Sequence, residues 1–277
     1  MSPSTEFDRE LESYLGFLID HDLGEAYESE PLNRTLSENK PAFPRLAAVS
    51  EQKAVKGLQG MPAPAVVRAT SLGQPDTATI VHEAKGRAQA ARMLEELYAE
   101  LEAFQHMPMR NEGAKSLVRL RGTAQPRLLV IGDAPDIDED ASGQAFVGKP
   151  GAMMDAALKA AGLDGQAMLT PCAFWRPAGG RPLTAEDITL NQPFLHALIR
   201  LAAPKGLLLL GAGAVMSVLN LDQSLQKLRG RMISYGDGST ALPVMASYTP
   251  AFMLRQPACK RLFWHDLLRM TAEINKV

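Results

Sequence analysis

The stretch Arg127-Leu-Leu-Val-Ile131, continued by Gly132-Asp-Ala-Pro-Asp-Ile-Asp-Glu-Asp-Ala-Ser-Gly-Gln-Ala-Phe-Val-Gly148 and Gly151, decides the fold class. A five-residue apolar run is the length of a strand buried on both faces, and the glycines after it mark a loop. Met153 to Ala161 then reads as a helix. The same alternation continues outward. Ala167 to Phe174 reads as a second strand, Thr184 to Ala203 as a helix kinked at Pro193, Gly206 to Leu210 as a third strand and Leu242 to Ser247 as a fourth. Strands alternating with helices specify an α/β fold with a mostly parallel four-stranded sheet covered on both faces. Ligands in such sheets bind beyond the carboxyl ends of the strands, so the loops from Gly132, Thr170, Gly211 and Ser247 are the expected places for chemistry.

Upstream, Phe7, Leu11, Tyr14, Leu15, Leu18 and Ile19 recur at helical spacing, with Gly24 at the stop position. From about Glu28 to Asp76, scattered prolines among Ser, Asn, Gln and Ala predict a linker of low order. A long helix is expected from Thr77 to Met107, closed by Pro108, with an apolar stripe at Ala90, Met93, Leu94, Leu97, Leu101 and Phe104.

The 277 residues are 46% hydrophobic and 22% charged, a globular composition. The net charge of -2 hides an asymmetry. Residues 1–100 carry 10 basic and 16 acidic side chains, whereas residues 101–277 carry 19 and 15. Two cysteines, Cys172 and Cys259, exclude a disulfide framework or a cysteine-built metal site and fit a reducing cytoplasm. The acidic start and the lack of a 20-residue apolar run disfavour secretion and membrane insertion.

Gly211-Ala-Gly213 follows a strand, but the third position of a dinucleotide loop falls on Met216, so a tight strand-to-helix turn is expected there. The acidic loop containing Asp133, Asp136, Asp138, Glu139 and Asp140 beside Phe146 has three readings. They are a metal site, a general base with a stacking platform, and a solvated acidic loop.

The Gly132–Gly151 segment resembles the GEAPGxxEDxxGxPFVGxAG signature of the family-four, iron-sulfur uracil-DNA glycosylases. Three further blocks resemble that family in order and spacing. Leu169-Thr-Pro-Cys-Ala-Phe-Trp-Arg-Pro177 is similar to its ITNVVKCRP, and Thr184 to Leu195 to its TxxExxxCxPFL, with Asp187 for the Glu. Ser247-Tyr-Thr-Pro-Ala-Phe-Met-Leu-Arg255 with Pro257 and Lys260 to Leu267 is similar to its TYHPAYLLRNPxxKRxxWxDL. Residues 18–35 also resemble an extension of some bacterial members. The resemblance implies a three-layer sandwich at residues 106–277, preceded by a helical N-terminal extension over residues 1–105. It implies a protein of base-excision DNA repair that binds DNA, flips one base out and hydrolyses its glycosidic bond.

Residue by residue, the resemblance makes Phe146 the stacking ring and Asp133 the water-positioning carboxylate, one methylene shorter than the family's Glu. Gly132, Ala134 and Pro135 complete the base pocket. Pro171 stands where the family has the uracil-reading Asn, and it offers no amide. Thr249 stands where the family has a His donor to the leaving base. The four cluster cysteines fall at Phe104, Met107, Trp175 and Asn191, so no cluster is expected and the three apolar side chains are expected to fill its volume. Cys172 reads as a buried small hydrophobe. Leu228-Arg-Gly-Arg231 and Met253-Leu-Arg255 resemble the family's LRGR and wedge segments. Arg229, Arg231, Arg255, Lys260 and Arg261 read either as phosphate contacts or as surface side chains holding the loops, and Met253 and Leu254 as the apolar wedge.

Three functions are compatible with this inventory. The first is a DNA-binding protein that accommodates a flipped base with hydrolysis impaired or lost. The second is an active cluster-free glycosylase of altered base preference, and the third is a protein-binding role for the acidic N-terminal region. The implied setting is the bacterial cytosol or nucleoid, without a membrane.

Overall fold

The computed structural model describes residues 76–221, 223–236 and 241–276. The helix expected over 7–23, the 18–35 extension and nearly all of the expected linker lie outside these residues.

Four apolar runs form the parallel centre of the sheet: β2 (Leu128–Gly132), β3 (Ala167–Pro171), β4 (Gly206–Leu210) and β6 (Leu242–Ser247). The expected sheet of four strands is corrected to six, in the order β1-β3-β2-β4-β6-β5. The additions are β1 (Arg121–Gly122), antiparallel to β3, and β5 (Met232–Tyr235), antiparallel to β6. Both are short, mixed-polarity edge strands, which give no apolar run to detect.

Alternate side chains divide the core. Leu129, Ile131, Leu207 and Leu209 face one layer, and Leu128, Val130, Leu208 and Leu210 face the other. The first face is covered by α1 (Thr77–Ala90), α2 (Leu94–Ala103), α6 (Ala185–Ala202) and α7 (Ala212–Leu219), the second by α5 (Gly148–Ala160) and α10 (Lys260–Ile274). Short helices α3 (Pro108–Asn111), α4 (Ile137–Ser142), α8 (Leu225–Leu228) and α9 (Pro250–Arg255) join them. This is the α/β three-layer sandwich.

The helix expected over 77–107 is two. Ala91 is extended, and the Glu96 carboxylate accepts from the Arg92 N–H at 2.8 Å, starting α2 without a Gly or Pro breaker. Pro108 opens α3 rather than closing the long helix, as suits its missing N–H. Helices α1 and α2 pack on α6. Arg200 donates to the Ala91 carbonyl at 3.0 Å, and the Tyr98 hydroxyl accepts from the Leu120 N–H at 2.8 Å. The core therefore runs without interruption across the expected division at 105/106.

Pro193 is accommodated inside α6, whose N-terminus is capped by Thr184 and Asp187. Gly211, at φ 98°, makes the expected tight strand-to-helix turn into α7.

A cleft at the carboxyl ends of the strands

A cleft of about 500 Å³ opens beyond the carboxyl ends of the parallel strands. Its walls are the segments at and after the end of β2 (Gly132–Ile137 and Glu139, with Phe146, Val147 and Pro150), after β3 (Arg176, Pro177, Gly180, Arg181) and after β6 (Thr249–Ala251, Arg255).

Asp133 follows the last residue of β2. Its carboxylate accepts from the Ala134 N–H at 3.0 Å and lies against the opening of α7, where a Cβ on Gly213 would stand 2.1 Å from Oδ1. Glycine at 213 is what makes room for the acid. Part of Asp133 faces solvent, yet the protein crowds its carboxylate. This desolvation raises its pKa above the usual value, against the pull of the Ala134 and Gly213 N–H groups. A carboxyl whose folded pKa is raised contributes most to stability when protonated, and that contribution is lost as pH rises through the folded pKa. Asp133→Asn is therefore expected to melt above the parent at pH 7, the gap narrowing as pH falls through the raised folded pKa and closing below about 4, where the unfolded acid is protonated as well. Thermal unfolding across pH 3–8 checks this, and a gap that ignores pH contradicts it.

Phe146 sits over Gly132, where a Cβ would stand 2.7 Å from Cζ of its ring. Its backbone is left-handed, φ 53°, a conformation that costs a non-glycine residue about 1–3 kcal/mol. Glu139 holds it there: its carboxylate accepts both the Phe146 and the Asp136 N–H groups. The acidic loop is thus a scaffold. Asp136 caps α4 through the N–H groups of Asp138 and Glu139, and buried Asp140 accepts from the N–H groups of Lys115 and Ser116. The spacing Asp136-x-x-Glu139 is a capping box, a signal that locates α4 from sequence.

Thr249 caps α9, its hydroxyl accepting from the Phe252 N–H at 3.1 Å. The hydroxyl proton remains for donation into the cleft, which Thr249 lines. Asp133, Phe146, Thr249, Gly132, Ala134 and Pro135 all share this one cleft. Pro171 does not: it ends β3 in register with Gly132, is buried, and is absent from the lining.

The expected DNA shell divides. Arg255 is exposed on the cleft rim and Arg231 is exposed. Arg229 is not free: its Nη1 donates to Asp266 at 2.9 Å, Asp266 accepts from the Ser247 hydroxyl at 2.6 Å, and the guanidinium lies over the Tyr248 ring. Met253 is fully buried and does not reach the surface, leaving Leu254 half-buried as the apolar side chain of that loop. Lys260 is buried and Arg261 exposed.

Two arginines after β3 went unassigned in the sequence. Arg181 pairs with Glu112 and with Asp187, whose side chain is wholly buried. Arg176 lines the cleft with its Nε covered and bonded to nothing among the described residues. A buried, unsatisfied donor on a charged group costs upward of about 1–3 kcal/mol, so its position calls for an explanation. Its place just beyond a strand's carboxyl end, and its match to the Arg of the ITNVVKCRP stretch, are the available sequence signals.

The cluster positions are core. Phe104, Met107, Trp175 and Asn191 are between 0% and 4% exposed. Phe104 packs on Phe194 at 5.5 Å between centroids. The Asn191 amide is engaged at both ends, accepting from the Phe174 N–H at 3.2 Å and donating to the Asp187 carbonyl at 2.7 Å. A ring, a thioether, an indole and an occupied amide do not fit an iron-sulfur cluster, which needs thiolates. Cys172 is fully buried as a small hydrophobe, its thiol pKa pushed up by that burial.

Comparison with known proteins places this geometry. The family model for the Uracil DNA glycosylase superfamily matches residues 121–268, which span every strand and the cleft. A Type-4 uracil-DNA glycosylase of Pyrobaculum aerophilum is 26% identical over 158 residues, covering 55% of this chain and 81% of the relative. That of Thermotoga maritima is 26% identical over 159 residues (56% and 81%), and that of Archaeoglobus fulgidus 24% over 154 (54% and 77%). With half of its length matched by that model and a cleft at the strand ends that joins Asp133, Phe146 and Thr249, the chain belongs to the uracil-DNA glycosylase superfamily.

Proposed function

We propose that this protein binds DNA and holds a flipped base against Phe146, with glycosidic-bond hydrolysis impaired or lost. The observation that carries the reading is the split fate of the site. Phe146 and Asp133 share the cleft, while the reader position is a buried proline outside its lining. Hydrolysis at this site needs a carboxylate to orient water and steady the cationic sugar, and a donor to the anionic leaving base. Asp133 suits the first task. Thr249 brings one hydroxyl to the second, and losing a donor of this kind commonly costs about 100-fold to 1,000-fold in rate. The residues at the cluster positions favour a domain that works without an iron-sulfur cluster. DNA as partner fits the superfamily, and the cytosol or nucleoid is the corresponding setting.

Single-turnover cleavage of uracil-containing oligonucleotides tests the reading beside the Thermotoga maritima relative. Excision is expected at least about 100-fold slower than that of the relative. A comparable rate, abolished by Asp133→Asn, would instead establish the second reading, an active cluster-free glycosylase. The raised Asp133 carboxyl and the Thr249 proton are what favour it. A protein-binding role for the N-terminal region rests on residues 1–75, which lie outside those described, and on α1 and α2, which pack on α6.

A further inference from the structure

We infer that Ile137, on the wall after β2, is the residue that parts the base stack: its side chain enters the gap that the flipped nucleotide leaves in a duplex. The inference rests on the proposed binding of a flipped base and adds the residue that opens the duplex. Such a gap is filled by an apolar side chain, which replaces the stacking contacts the departed base took with it. The α9 loop, where the sequence places the wedge, is poorly supplied for the task. Met253 is fully buried, Leu254 is half-buried, and the Phe252 ring stacks on Tyr248 at 5.3 Å between centroids. Ile137 lines the cleft at 65% exposure, the highest of any large hydrophobic side chain among the described residues.

The mount is rigid. Ile137 opens α4, where Asp136 accepts from the Asp138 and Glu139 N–H groups at 2.9 Å each and Glu139 accepts the Asp136 N–H in return. The same Glu139 carboxylate accepts the Phe146 N–H, so one acid fixes both the stacking ring and the turn that presents Ile137. A side chain held this way parts two stacked bases where one on a yielding loop would give way. The surrounding charge selects the part of the DNA that Ile137 meets. Asp136 and Asp138 on either side of it are exposed, and a Cβ on Gly148, at the opening of α5, would stand 3.3 Å from Asp138 Oδ2. Two carboxylates repel phosphate, so a bound strand turns its uncharged base faces to this wall and its phosphates to the exposed Arg255 on the rim.

The test is fluorescence anisotropy of the full chain with one sequence in three forms: a duplex with a uracil–guanine mismatch, the same duplex with the uracil in a one-nucleotide bulge, and the single strand. Only the first has a paired stack to open. Ile137→Ser is expected to weaken the mismatched duplex about tenfold and the other two less than about twofold. Ile137→Leu, apolar and of the same volume, should stay within about twofold of the parent on all three. Because Ile137 lies outside the core, both variants should unfold at the parent's temperature. If Ile137→Ser weakens all three forms equally, the side chain is a general contact and the inference is overturned. Unchanged binding to every form overturns it as well, and a duplex-specific loss seen with Leu254→Ser in place of Ile137→Ser returns the wedge to α9. Absence of salt-sensitive binding to any form overturns the inference together with the proposed function.

Discussion

Replacing Arg181 by leucine is expected to destabilise the domain by about 3 kcal/mol, the largest effect among single changes near the cleft. The guanidinium joins three segments: Glu112 in the turn after α3, its own loop after β3, and Asp187 in the first turn of α6. The Asp187 side chain is wholly buried, so the variant would strand a carboxylate with only the Thr184 N–H at 2.8 Å and hydroxyl at 2.9 Å as partners. Loss of one member of a buried pair costs about 3–5 kcal/mol, and the low end applies because Arg181 itself is 29% exposed. Burial opposes the charge on Asp187, but Arg181 and Thr184 overcome it and hold the carboxyl below its usual pKa. Stability from a depressed carboxyl is present above its unfolded pKa and lost as pH falls through the folded one. The penalty of Arg181→Leu should therefore be full at pH 7 and shrink below about pH 4. Urea unfolding at both pH values checks this. A loss under about 1 kcal/mol at pH 7 would mark the pair as an ordinary surface bridge.

Phe104→Ala is expected to cost about 3–5 kcal/mol, with chelators leaving the parent protein unchanged. Phe104 is fully buried, contacts the rings of Phe194 and His106, and shares its cluster with Met107 and Trp175. Removing the ring deletes its transfer free energy and opens a cavity between α2 and α6 that these large side chains cannot close without leaving their own contacts. Were iron still bound through other ligands, the purified protein would carry iron and lose stability with EDTA, and the apolar side chains would matter less. Chemical denaturation of the variant and metal analysis of the parent distinguish the two.

The central strands were legible because each carries a run of at least three apolar residues, a pattern that survives burial on both faces. The edges were not, since Met232–Tyr235 alternates and Arg121–Gly122 is two residues long. The break after Ala90 has no glycine or proline to announce it and is held by the Glu96 side chain and by packing on α6, which no local window contains. Phe146, Asp133 and Thr249 were legible through the motifs that carry them, and the structure brings them together. What motifs do not convey is where a side chain ends. Met253 turns into the core, Arg229 is bound to Asp266 thirty-seven residues on, and Pro171 stops at the sheet. Arg176 is the converse case, a residue without assigned work that the fold leaves facing the cleft.

Flipping of a base into the cleft without its being cut from the sugar is read out by 2-aminopurine placed beside a mispaired hypoxanthine or uracil in duplex DNA. Binding at low salt should raise the probe's fluorescence as its neighbour leaves the stack. Phe146→Ala should abolish the rise, and the recovered strand should show no alkali-labile site after hours. DNA bound with no rise in fluorescence, or a rise followed by rapid strand scission on alkali treatment, would contradict it.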